Sequence, residues 1–411
     1  MLEKWSGVNE RRPFIGDMEM PNKFGARSWR LPLLTSVAAA AAGMALPAAA
    51  ADDARVITSS SEKVKVRITG QINRAVLFYD DDFNDCIKHV DNDYSSTRFR
   101  WHADAKVNND IKIGGLMEIQ AENNSTFDTN LQDTEGSGDA ASLSDRYLEF
   151  WVDHNKFGRV YIGKGDPGSN NSSLNNAHAS GVIAATASHS LAAGGIAFKT
   201  SGNNCSISGT TCVNVKSAIS DFDGLTRQNR IRYDTPVFAG FQARASHTDG
   251  GAWDASLWYN GKVFDTKIKG AIAYAESSNQ STAGLNGDQV NGSLSLQHSS
   301  GLGVSFAAGY RNLDTRGSGA DQHDPVMVFF GANYDRKFSE LGVTSFTGSY
   351  QQVNSLAASG DTAKSWQVTA LQNIDAAAFE AYASYTHHEL DRDGFTFGDV
   401  DAVLIGGRIK F

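Results

Sequence analysis

After residue 51 no apolar run approaches the roughly eighteen residues that a membrane helix needs. A helical membrane protein is therefore excluded for that part of the chain. A membrane β-barrel is not, because its strands alternate in character and average to low hydropathy. Basic charge is also short: 37 Lys and Arg stand against 46 Asp and Glu, a formal net charge of −9. That balance argues against nucleic acid as a partner. Walker, Rossmann and G-x-S-x-G patterns and paired C-x-x-C motifs are all missing, and nothing pairs a serine with a histidine. An enzyme is not expected. Proline is scarce at 7 residues while glycine reaches 40, which suits many strands joined by turns and loops.

What is present begins at the N-terminus. Lys23, Arg27 and Arg30 precede a short apolar core from Leu31 to Leu46, and Ala48 to Ala51 offer a small-residue cleavage site before Asp52. This reads as a secretory signal. Residues 1–51 are expected to be an extension plus signal peptide, and residues 52–411 one domain. Glu3, Glu10, Asp17 and Glu19 sit oddly ahead of a basic segment, so the true start is expected at Met20 or Met18.

Beyond the signal, strict alternation recurs. In STRFRWHADAKV one face holds Phe99, Trp101, Ala103, Ala105 and Val107, and the other Arg98, Arg100, His102, Asp104 and Lys106. In DIKIGGLMEIQAE, Ile111, Ile113, Met117, Ile119 and Ala121 oppose Lys112, Glu118, Gln120 and Glu122. Period two over eight to twelve residues predicts strands. About sixteen such segments run to the C-terminus, joined alternately by short turns such as HNKFG and long polar loops such as DDDFNDCIKHVDND. That rhythm predicts an all-β, transmembrane, antiparallel up-and-down barrel of about 16 strands, with apolar faces toward lipid and polar faces toward a wet lumen. Aromatic residues near strand ends suit the membrane interfaces. The last strand, VLIGGRIKF, then closes the barrel with Phe411 at the short-turn rim, its face against lipid.

One connection is much longer, from about Gly165 to Thr226. A loop of that length is normally functional. Folded into the lumen, it would narrow an otherwise open channel. Cys205 and Cys212 within it are expected to pair in an oxidising compartment, leaving Cys86 over. Asp80, Asp81 and Asp82 in the first long loop are a candidate Ca²⁺ site without EF-hand spacing. His387 and His388, adjacent on a strand, point to opposite faces and are poor joint ligands. No other cofactor is expected.

The order of ITGQINRAVLFYD, STRFRW, DRYLEFWVDHNKFGRVYIGKGD and DGLTRQNRIRYDTPVFAGF, with the signal and the terminal Phe, resembles the trimeric general-diffusion porins of Gram-negative outer membranes. The resemblance implies a homotrimer in the outer membrane, among lipid and lipopolysaccharide, inserted by the barrel-assembly machinery through Phe411, and passing small hydrophilic solutes. By position, Arg98, Arg146 and Arg227 match the family's wall arginines, and the first-strand basic position falls near Asn73 and Arg74. Arg100 and Asp166 complete the expected constriction. In that family acids on the third loop face this wall. Here no acid lies between Asp166 and Asp221. A wall of arginines without opposing acids predicts weak anion preference at the neck. The acidic mouth loop pulls the other way, but the neck should weigh more. The alternatives are a substrate-selective porin for a sugar or anion, a structural or adhesive barrel, and, last, a soluble β-sandwich.

Overall fold

The computed structural model describes residues 57–58, 63–130, 142–181, 187–201, 211–277, 287–313 and 324–411. The expected signal segment and Cys205 lie outside them. One antiparallel sheet of sixteen long strands closes on itself. In chain order these are β1 (Val64–Asp80), β2 (Arg98–Lys106), β3 (Ile111–Glu122), β4 (Ser142–His154), β5 (Gly158–Gly165), β6 (Gln228–Asp234), β7 (Phe241–Thr248) and β8 (Trp253–Val263). They continue with β9 (Thr266–Glu276), β10 (Gly287–His298), β11 (Leu302–Leu313), β12 (Val326–Ser339), β13 (Gly342–Asn354), β14 (Thr362–Ile374), β15 (Phe379–Arg392) and β16 (Val400–Lys410). Each pairs with its sequence neighbour.

The seam is made by β1, which is long enough to be shared. Its first half pairs with β2, from Val64↔Ala105 to Gln71↔Arg98. Its second half pairs with β16, from Gln71↔Lys410 to Asp80↔Asp401. Closure leaves no open edge, so the ladder satisfies the backbone within the bilayer.

Alternation decides the faces. In β10 the inward Gln289, Asn291, Ser293 and Ser295 are buried while the outward Val290 and Leu294 are exposed. The same parity exposes Ile113, Phe150, Ile162, Ile272, Phe330 and Val368 on the outside. Apolar side chains facing out of a closed sheet suit lipid and exclude a sandwich. Phe157, Phe238, Phe264, Phe338 and Phe411 are exposed at the short-turn rim, where an aromatic girdle belongs. Phe411 is held by backbone exchange with Gly70, at 2.7 and 3.0 Å. A Cβ at position 70 would meet the Phe411 ring at 2.5 Å and the Arg98 carbonyl at 2.8 Å, so only glycine admits this closure.

The third long loop, between β5 and β6, folds into the lumen. It contains a small hairpin (Ala197–Lys199 with Cys212–Asn214) and a helical turn (Val215–Ala218). Ile196, Phe198, Val213, Ile219 and Phe222 of the loop are fully buried. They form one apolar cluster with wall residues such as Leu77, Met327, Phe329, Val353, Leu390 and Leu404. These lie in the long-loop halves of β1, β12, β13, β15 and β16. A uniformly wet lumen is therefore corrected: on that side the loop makes a second, dry core inside the barrel. Cys212 is disulfide-bonded and Cys86 is a free thiol.

Candidate permeation site

The remaining wall, β2 to β8, is polar. At its centre stands Glu118 of β3, whose carboxylate is 2% exposed. Arg146 of β4 reaches it at 2.6 Å, Arg98 of β2 lies 3.7 Å away, and Arg100 of β2 forms a close ion pair with it. Arg146 also donates to Gln120 at 2.5 Å. A β-bulge positions Arg146: Glu118 pairs with Tyr147 while Ile119 pairs with Asp145. The extra residue lets Arg146 and Tyr147, neighbours in sequence, both serve the lumen.

Asp166 roots the third loop. Its carboxylate lies 3.0 Å from Arg227 and accepts from Tyr147 Oη at 2.5 Å and from Asn170 at 3.0 Å. Its carbonyl accepts from Arg230 at 2.9 Å and Arg232 at 3.1 Å. Arg98, Arg100, Arg146, Arg227 and Asp166 are thus brought together as expected. Arg74 is not. It follows the outward parity of Ile72, while Gln71, Asn73, Ala75 and Leu77 point in and are buried. Its guanidinium pairs with Asp91 at 2.5 Å. The notion of arginines without opposing acids is also corrected: the acids are Glu118, on the wall itself, and Asp166.

Sequence reasoning missed Arg230, Arg232, Arg159 and Arg244, all on inward positions of β5 to β7. Period two along NRIRYD, with Ile231 and Tyr233 outward, was the signal that could have found the first two.

The candidate calcium carboxylates have protein partners. Asp80 accepts from the Asp82 amide at 2.9 Å, and Asp82 from the Asp399 amide at 3.0 Å. Asp81 holds the Phe83 and Asn84 amides with one oxygen and Lys199 of the third loop with the other, at 2.6 Å. Both members of that ion pair are almost fully buried.

The loop also docks on wall carboxylates, with the Ser169 amide on Asp254 at 2.8 Å and the Ala179 amide on Asp335 at 2.9 Å, and around His189 through neutral groups. His189 bonds Ser365 at 2.9 Å and Ser349 at 2.7 Å, and its amide donates to Gln351 at 3.1 Å. Phe329 and His388 complete its surroundings. Burial pushes its pKa down to about 3, and that of His178 in the same loop down to about 4. A released loop would take up protons near the ordinary value of 6.5. Docking is therefore at full strength above about pH 6.5 and weakens as pH falls, by about 1.4 kcal/mol per unit for each histidine, down to about 4 for His178 and about 3 for His189. Planar-bilayer recordings should show a quiet open channel at pH 7 and growing current noise by pH 4. His189→Gln should reduce the acid-induced part of that noise.

A closed outer-membrane barrel, with one side filled by its own loop and a guanidinium-rich passage on the other, is a diffusion channel. The chain belongs to the Gram-negative porins: the sequence model of that family matches residues 35–393. Among solved structures it is similar to OmpF of Salmonella typhi in complex with daunomycin, at TM-score 0.55 and 11% identity, covering 87% of this chain and 100% of that one. An anion-selective porin from Comamonas acidovorans aligns at TM-score 0.54 and 13% identity, over 85% of this chain and 100% of the other. The channel DcaP of Acinetobacter baumannii aligns at 0.53 and 13%, over 86% and 99%. At these identities the likeness speaks for the fold. Curated protein sequences gave no match. The protein is an outer-membrane porin of a Gram-negative cell.

Proposed function

We propose that this diffusion channel prefers anions weakly. The carrying observation is the constriction itself, where four guanidinium groups surround the carboxylates of Glu118 and Asp166. All four side chains keep some exposure to the passage, from 13 to 27%, while Glu118 is covered. At the loop's returning end burial, reinforced by Asp221, raises the pKa of Asp223 well above its ordinary value, and burial also raises that of Asp221. The acids of the mouth loops act at a distance where salt screens them. One of the similar solved porins is named as anion-selective, which agrees with this reading. Transport needs no reacting group; neck radius and wall charge set what passes. Assembly as a homotrimer among lipid and lipopolysaccharide, with insertion through the Phe411 terminus, belongs to the same reading on the family resemblance.

The test is the reversal potential of the purified mature protein in a planar bilayer under a KCl gradient. A chloride-favouring sign with large, near-ohmic steps is expected. A potassium-favouring sign would overturn the anion preference, and absence of conductance from folded protein would overturn the channel.

A further inference from the structure

Between the constriction and the short-turn rim the wall changes character. The indole of Trp151 on β4 occupies the space that a side chain at Gly114 of β3 would fill. The Arg159 guanidinium of β5 sits over that ring, 4.4 Å from its centroid, and donates to Tyr161 Oη at 3.2 Å. On β6, Arg232 lies 4.8 Å from the Tyr161 centroid and is pinned by both oxygens of Asp234 at 2.7 Å. On β7, Arg244 lies 4.1 Å over the Trp258 ring of β8. The registers Trp151↔Tyr161, Tyr161↔Arg232 and Asp234↔Arg244 make this one continuous band.

Two guanidinium groups in the band stay partly exposed, with Arg159 also meeting Asp153 at 3.2 Å and Arg244 donating to Gln242 at 3.1 Å. Arg159 keeps 35% of its side-chain surface and Arg244 keeps 23%, and the nearest carboxylate to Arg244 is 3.7 Å away. A guanidinium held over an indole by cation–π attraction keeps an edge of N–H donors beyond those already used. That edge matches a carboxylate, which it can bind through two parallel hydrogen bonds. The planes beside it match a flat ring. Asp153 and Asp234 already neutralise part of the band, so it suits a single negative charge better than a polyanion. We propose that this band is a subsite for aromatic monocarboxylates on their way through the channel. The inference rests on the anion reading above and names the solute class that the wall below the neck favours. Chloride and acetate would use the charge alone. A saturated ring of equal size and charge would lose the stacking.

The experiment compares block of the KCl current by benzoate and by cyclohexanecarboxylate, added on the short-turn side of the native channel, with the reversal potential measured on the same preparation. Benzoate is expected to reach half-block at about fivefold lower concentration. Replacing Trp151 and Trp258 by Leu should bring the two concentrations together, whereas Trp258→Phe, which keeps a ring beneath Arg244, should retain most of the difference. Equal block by the two acids in the native channel would overturn the subsite, whatever the reversal potential. A potassium-favouring reversal potential would overturn the anion reading, whatever the block ratio. The two failures are thus read separately.

Discussion

Lys199→Met is expected to destabilise the protein by about 3–5 kcal/mol, the usual consequence of leaving a buried charge without its partner. Lys199 and Asp81 are 1% and 0% exposed and 2.6 Å apart. The ammonium carries the loop hairpin, and the Lys199 carbonyl accepts from Gly398 at 2.8 Å, so one residue ties the third loop to the first and the last. Without it Asp81 keeps the amides of Phe83 and Asn84 but faces apolar surroundings with a bare oxygen. The folded form should be lost at a markedly lower temperature when its gel mobility is followed on heating. The double change Asp81→Asn with Lys199→Met keeps the amide contacts and removes the charge, so it should recover most of the loss. If the single variant melts like the native protein, the pair does not anchor the loop.

The second large effect concerns selectivity. Arg98→Gln, Arg146→Gln and Arg227→Gln combined are expected to reverse the sign of the reversal potential. A unit charge about 7 Å from a passing ion in water contributes about 0.6 kcal/mol, a factor of about three before screening. Three such changes outweigh a weak preference. The variant should still fold, because Arg100 continues to pair with Glu118 and Asp166 keeps Tyr147 and Asn170. Glu118→Gln alone should move the ratio the other way, toward chloride, by up to about threefold. Unchanged ion preference in both variants would place the controlling charges elsewhere.

The contrast between what the sequence showed and what it concealed has a physical basis. The sixteen strands were legible because lipid demands apolar side chains at every second position, and that demand is local. Phe411 found its place by the same count. The bulge at Arg146 was hidden because an inserted residue breaks period two over only a few positions. Arg74 was carried over by family position, whereas counting by twos from Gln71 places Asn73 inward and Arg74 outward. Glu118 stood in plain view on a polar face, but which guanidinium groups converge on it depends on pairing between three strands. The dry core was the deepest omission. Leu77, Met327 and Leu404 interrupt the polar inner face, and single apolar residues there look like noise until the loop that covers them is placed.

That dry core has a consequence for assembly. The loop leaves the chain before β6, yet the wall it packs against includes β12 to β16, synthesised some hundred residues later. Its apolar side chains have no floor until the last strands arrive. The seam between β1 and β16 is part of the same cluster, through Leu77 and Leu404. Closing the seam and filling the lumen therefore draw on the same apolar contacts. The barrel is packed as it is sealed, like a vessel corked from within.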